Sequence, residues 1–308
     1  MTVDGSKPIE AAKLFVGPSG WSYPDWEGIV YPKPAPRGFH PLAYLANFFP
    51  AVEVNTSFYR PPTPRMTAAW VQRVERIERF LFAFKLFQRF THHRTPYGPD
   101  EVQAFREGLR PVVEAGRLGC VLAQFPWSFR CDAASLDWLA RLAGDFAEYP
   151  LVAEVRHDSW DHEEVRGRFR QMHVGWCNID QPRLAHCLGP TSHVTGDIAY
   201  VRLHGRRHET WFADGVPAFE RYNYLYAPEA LQEWAGRVRE LSERASRVFV
   251  FTNNHYAGQG PANAIELRML LEGGPVPAPA TLREHFAALA GATTVPGDVG
   301  HPPTLFDA

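Results

Sequence analysis

The chain has 308 residues, 45 % hydrophobic and 21 % charged, with a formal net charge of −2 and an isoelectric point near 6.7. That describes an ordinary globular protein, long enough for one large core or two modest ones, and it excludes a bulk field that would draw the molecule to nucleic acid or an anionic membrane. No window reaches the ~18 uncharged apolar residues of a membrane span. The N-terminal MTVDGSKPIEAAK lacks the cationic and apolar regions of a signal peptide, so a cytoplasmic location without membrane contact is expected. Cys120 and Cys177 sit in apolar runs and no C-x-x-C or Cys/His zinc spacing occurs, so the four cysteines read as buried thiols.

Eight short runs rich in apolar, β-branched and aromatic residues follow one another along the chain: LFVGPSG from Leu14, AVEVNTSFY from Ala51, RFLFAFKL from Arg79, GCVLAQF from Gly119, LVAEVRH from Leu151, HVGWCNID from His173, AYVRLHG from Ala199 and RVFVFTNN from Arg247. Between them lie segments of helical period, among them DEVQAFREGLRPVVEAG, ASLDWLARLAGDF, PEALQEWAGRVRELSERA and GPANAIELRMLL, most with Pro, Asp or Ser near the start. Strands alternating with helices require a parallel sheet, because each crossover returns the chain to the same end. Eight such units predict a TIM-type (β/α)8 barrel over residues 14–274. The open doubly wound sheet is the alternative, disfavoured because the first turn reads GPSGWSY and not G-x-G-x-x-G. Residues 275–308 predict one short helix, TLREHFAALA, and a loosely held tail.

In a parallel barrel the lower strand is core and the C-terminal rim carries chemistry. All eight runs end in polar residues. Alternate positions on strand five put Val152, Glu154 and Arg156 on one face, and the matching residues elsewhere are Ser19, Glu53 with Asn55, Lys85, Gln124, Asn178 with Asp180, Arg202 with His204, and Asn253 or Asn254. A bulge would exchange Arg156 for His157 or Asn253 for Asn254, so both members of each pair are kept. The rim loops KLFQRFTHHR and HGRRHETW add Arg89, His92, His93, Arg94, Arg206, Arg207 and His208, a local positive field whose natural guest is a phosphate or carboxylate. Trp21, Tyr23, Trp26, Phe58, Tyr59, Trp127 and Trp160 fall in rim loops and can wall a ligand.

The candidate catalytic residues are Glu154, as acid or base, with His157, His204 and Lys85; the candidate binding residues are Trp21, Asn55, Tyr59, Gln124, Arg156, Arg202, Asn253 and Asn254. The expected activity is hydrolysis of a phosphate-bearing or other small anionic substrate. Non-catalytic binding of a nucleotide or nucleic acid is the alternative, with cations on phosphate and aromatics on bases. Three further readings stay open: Glu154 with Lys85 and Glu53 with Arg202 simply pair and tie the mouth together; Glu53, Glu154, Asp180, His157 and His204 hold a divalent metal; or Glu53 and Glu154 form a glycosidase pair. No organic cofactor is expected, and no G-x-S-x-G, H-E-x-x-H or P-loop occurs.

Taken in order, GPSGWSYPDWEGIVYP, EVNTSFYRPP, FAFKLFQRFTHH, LAQFPWSF, EVRHDSW, YVRLHG and FTNNHYAGQGPANAIELRMLL resemble the YecE-like proteins, domain of unknown function 72. The resemblance spans Leu14 to Leu271 and implies a TIM-type barrel. It departs mildly at Pro18, where Thr is usual, and Thr252, where an aromatic is common. The residues it implies for a site are Asn55, Tyr59, Lys85, Glu154, Arg156, His157, Arg202, His204 and Asn254. The terminal HPPTLFDA, with Leu305 and Phe306, distantly resembles sliding-clamp-binding peptides and suggests a partner-docking tail.

Overall fold

The computed structural model of the chain describes residues 8–293. Strands β1 (Leu14–Pro18), β2 (Ala51–Val54), β3 (Leu81–Lys85), β4 (Leu118–Gln124), β5 (Leu151–Glu154), β6 (Val174–Asp180), β7 (Ile198–Leu203) and β8 (Arg247–Thr252) coincide with the eight predicted runs, β4 and β7 starting one residue earlier, and form one parallel sheet ordered β1-β8-β7-β6-β5-β4-β3-β2. The two ends of that order meet at the rim. Ser19 and Glu53 form a parallel bridge, and the Gly20 N–H donates to the Glu53 carbonyl at 2.8 Å. Below this bridge Gly17 passes so close to β2 that a Cβ would stand 1.9 Å from the Ala51 carbonyl oxygen, so only glycine lets the seam close. The chain is thus a single-domain (β/α)8 barrel of the TIM type.

The crossovers carry α1 (Pro41–Leu45), α2 (Thr56–Tyr59), α3 (Pro64–Arg73), α4 (Pro99–Glu114), α5 (Ala133–Asp145), α6 (Glu163–Gln171), α7 (Pro228–Ser242) and α8 (Gln259–Glu272). Their starts follow the local chemistry. Thr63 accepts from the Met66 N–H ahead of Pro64, Asp132 accepts from the Ser135 N–H, and proline opens α4 and α7. Among the described residues the connection between β6 and β7, residues 181–197, has no helix. The Asn178 side chain holds it instead, donating to the His193 and Tyr200 carbonyls and accepting from the Thr191 hydroxyl and the His193 N–H.

That bonding reverses the face predicted for β6. Asn178 and Asp180 point outward with Trp176, whose ring packs on Phe169 of α6 at 5.1 Å; the inner face at this level belongs to Cys177, whose thiol is 4.0 Å from Glu154. With a period of two, the packing of Trp176 on Phe169 in the helix–strand layer sets the face of every other residue of the strand. After α8 the chain packs back as α9 (Ala280–His285) and a 3-10 turn at Ala287–Gly291, over the segment where one short helix was predicted, with Leu282 and Leu289 fully buried. The HPPTLFDA segment lies outside the described residues. No described helix is long and apolar enough to cross a membrane.

Candidate functional site

The barrel interior changes character over three residues. Phe15 and Phe249 stack at 5.0 Å low in the barrel, and Tyr200 with Phe251 fills the next level. Above them lies an ionic layer. Glu53 accepts from Ser19 Oγ (2.9 Å), Tyr200 OH (2.7 Å) and Arg202 Nη2 (2.6 Å). Glu154 accepts from Arg202 Nη1 (2.5 Å) and Arg156 Nε (2.7 Å). Arg202 is 1 % exposed and both carboxylates are 0 % exposed, so this is a wholly desolvated pair-of-pairs in which one guanidinium bridges two strands on opposite sides of the ring. Burial alone would raise the Glu154 carboxyl, but the charges of Arg202 and then Arg156 outweigh it and hold it well below the usual carboxylate range. Glu154 is therefore a fixed anion and a poor proton carrier. Of the pairings considered from sequence, Glu53 with Arg202 forms; Glu154 pairs with Arg202 and Arg156, and not with Lys85.

His204 is buried beside this layer. Its Nδ1 lies 3.0 Å from the Asn253 amide nitrogen, and its Nε2 is 3.2 Å from Glu154 Oε1 but not aligned for a hydrogen bond. Burial pushes the imidazole down to about 3, so the ring is neutral at ordinary pH.

Over the ionic layer opens a cavity of about 410 Å³. Lys85, Arg156, Arg202, Gln124, Asn55 and Asn253 belong to its polar lining, with Arg60 and His255 beside them, and Trp21, Tyr23, Phe58, Tyr59, Trp70 and Tyr222 wall it. Trp21 meets Trp70 edge-on at 5.2 Å, while Tyr59 at the lip is 69 % exposed. Lys85 Nζ stands 3.8 Å from the Phe58 ring centroid. Burial first, then the positive charge of Arg202, push the Lys85 amine down to about 7 against the opposing pull of Glu154 and Glu53. Its proton is thus held far less tightly than that of an ordinary lysine.

Eight of the sequence-predicted residues, Trp21, Asn55, Tyr59, Lys85, Gln124, Arg156, Arg202 and Asn253, line the cavity, and Glu154 and His204 lie directly beneath. Two do not come to it. Asn254 turns toward the helix layer, donating to the Tyr224 carbonyl and to Asn263 Oδ1. His157 leaves the bowl because β5 keeps its alternation through Arg156. Its Nδ1 accepts from the Ser159 N–H at 3.1 Å, and its ring stacks 5.7 Å from His186 on the outer rim.

The proposed metal set is likewise dispersed: Glu53 and Glu154 are saturated by arginine, and Asp180 accepts from Arg206 on the outside of the barrel. Among the described residues the one grouping of His, Cys, Asp and Glu with ligand spacing is His157, Asp158 and His186, of which the last two are exposed.

The loop cations are also less free than the sequence suggests. Arg89 pairs with Glu101, Arg206 with Asp180 and Arg207 with Glu220. Trp26 and Trp160 are core residues. Sequence reading missed Tyr200, two residues before Arg202 and thus on its face, which the period of two would have supplied. It also missed Trp70, Tyr222 and His255, brought to the cavity by a helix and two loops with no local signal.

Fold and site together define a parallel (β/α)8 barrel with an ion-floored, aromatic-walled cavity at its carboxyl rim. The family model described as "Protein of unknown function DUF72" matches residues 15–284, and the chain belongs to that family. It is 30 % identical over 275 residues to the UPF0759 protein YunF of Bacillus subtilis, covering 84 % of this chain and 95 % of that one. A DUF72 family crystal structure from Thermotoga maritima is 33 % identical, with a TM-score of 0.74 over 84 % of this chain and 99 % of that one; another from Enterococcus faecalis is 23 % identical, with a TM-score of 0.72 over 84 % and 95 %.

Proposed function

We propose that the protein is an enzyme acting on a small anionic substrate, bearing a phosphate or a carboxylate, bound in the rim cavity. The observation that carries this reading is the charge balance of the floor. Glu53 and Glu154 are matched by Arg202 and Arg156, so a protonated Lys85 is one positive charge in excess, and it faces the cavity together with Arg156. An incoming anion completes the balance, and charge-assisted bonds from a guanidinium are the strong ones. In the hydrolytic use suggested by the sequence, the proton-handling group is Lys85 and not Glu154, because the carboxylate is locked by two guanidiniums while the amine exchanges its proton near neutrality. Trp21, Tyr59 and Tyr222 would then shield the organic part of the substrate.

Calorimetric titration with inorganic phosphate, pyruvate and simple phosphomonoesters tests the anion site. Arg156→Met is expected to weaken binding by 1.5–3 kcal/mol, about 10- to 100-fold. No binding of any of these anions at millimolar concentration, or affinity unchanged in Arg156→Met, would remove the reading. Tight binding without turnover of any phosphoester or carbonyl compound would favour the alternative, a nucleotide- or nucleic-acid-binding protein.

A further inference from the structure

The chain has 32 Lys and Arg residues, yet only four are lysines: Lys7, Lys13, Lys33 and Lys85. Arginine supplies the fixed charge of the floor, at Arg156 and Arg202. A guanidinium keeps its proton at any working pH, whereas an amine can release one and offer a lone pair to carbon. The lysine placed among these arginines lines the cavity, its Nζ resting on the face of Phe58, and among the described residues that amine has neither an ion pair nor a hydrogen bond. As a proton acceptor alone it would add nothing that an imidazole does not provide. What an amine adds is a covalent bond.

We propose that Lys85 Nζ is a nucleophile that forms an imine with the carbonyl carbon of a substrate whose anionic group is held by Arg156, the substrate class being 2-oxo acids or phosphorylated aldehydes and ketones. The proposal rests on the reading that the cavity takes a small anion, and it narrows that reading to carbonyl chemistry. The neutral amine attacks the carbonyl carbon; a C–N bond forms, the C=O π pair moves to oxygen, and the proton that the new ammonium nitrogen gives up passes to that oxygen, restoring the nitrogen lone pair. A second proton lets that oxygen leave as water while the nitrogen lone pair closes the C=N bond. Amine, carbonyl compound and one proton thus become iminium and water, with no change of oxidation state. The side-chain amides of Asn55 and Asn253 line the same cavity and can donate to the departing oxygen. Burial and the neighbouring Arg202 bring the Lys85 amine to about 7, so its free-base fraction at neutral pH is about 10³-fold that of an ordinary lysine.

The test incubates the full chain with pyruvate or, separately, dihydroxyacetone phosphate, reduces with sodium borohydride, and locates the added mass by peptide mapping. One reduced adduct per chain at Lys85, absent at that position in Lys85→Met, is expected, and its yield should rise as pH passes through about 7. Adduct from pyruvate alone assigns the carboxylate class, and from dihydroxyacetone phosphate alone the phosphate class. Adduct spread evenly over Lys13 and Lys33 with no preference for Lys85 overturns the proposal, and this readout uses the native chain, so it does not depend on the variant folding. If either probe binds in an Arg156-dependent way yet leaves no adduct at Lys85, the imine is refuted while the anion site stands. If neither binds and neither is trapped, both fall.

Discussion

Replacing Arg202 by Met probes the ionic floor directly. The guanidinium is 1 % exposed and reaches Glu53 at 2.6 Å and Glu154 at 2.5 Å, both carboxylates being 0 % exposed. Methionine matches much of the volume of the arginine stem but leaves Glu53 with two hydroxyl donors and Glu154 with Arg156 alone. Removing one partner of a buried ion pair costs about 3–5 kcal/mol, which is a large part of the about 5–15 kcal/mol that holds a typical domain together. The loss should depend on pH. In the native chain Glu154 is held well below its unfolded value, so its contribution is present above about pH 4.3 and lost as pH falls through the folded value. In the variant the same buried carboxyl is pushed above its unfolded value, and what stability it then contributes is present below about pH 4.3 and lost as pH rises. The difference between the two proteins is therefore greatest near pH 7 and narrows toward pH 5. Urea unfolding at the two pH values measures it, and Arg202→Met/Glu53→Gln should recover part of the loss by removing an uncompensated charge. A loss below about 1 kcal/mol at pH 7, or one identical at both pH values, would show that the floor is not the desolvated network described above.

Lys85→Met should reveal the opposite sign. Between about pH 7 and 10.4 the unfolded chain binds a proton at Lys85 that the folded chain has lost, so native stability rises across that window, and the variant's relative advantage should shrink by on the order of 2–3 kcal/mol, discounted because the amine is partly open to the cavity. Parallel thermal melts at pH 7 and 10 check this, and a pH-independent difference would contradict it. Gly17→Ala should cost about 3 kcal/mol because its Cβ must displace the Ala51 carbonyl at the β1–β2 seam, whereas Gly144→Ala in α5, where nothing stands within 4 Å, should gain about 0.5–1 kcal/mol; denaturant midpoints of the two variants decide it. Asn178→Ala removes four hydrogen bonds, three of which pin residues 181–197, so amide exchange should accelerate in that connection while the strands stay protected, with a stability loss of about 2–3 kcal/mol.

The order of elements was legible in the sequence because each strand is a compact apolar run between turn signals; alternation with helices requires a parallel sheet, and the count of eight units pointed to a closed barrel over an open doubly wound sheet. Polar ends at Glu53, Lys85, Glu154 and Arg202 marked the rim for the same reason: a charge at the end of a buried run has nowhere to go but a site or a partner. What the sequence could not supply was parity and pairing. On β6 the outward face is taken by Trp176, whose ring packs against Phe169 of α6, and Asn178 and Asp180 go outward with it. At the mouth, Arg89, Arg206 and Arg207 looked like free cations until their carboxylate partners, distant in sequence, came within reach. Most of all, which ionisable group in the bowl is locked and which is labile was decided by tertiary structure. One guanidinium reaching across the ring fixes Glu154 as an anion, and the same crowding of positive charge in a dry bowl loosens the proton of Lys85, because ionisation depends on distances across the barrel that no local pattern records.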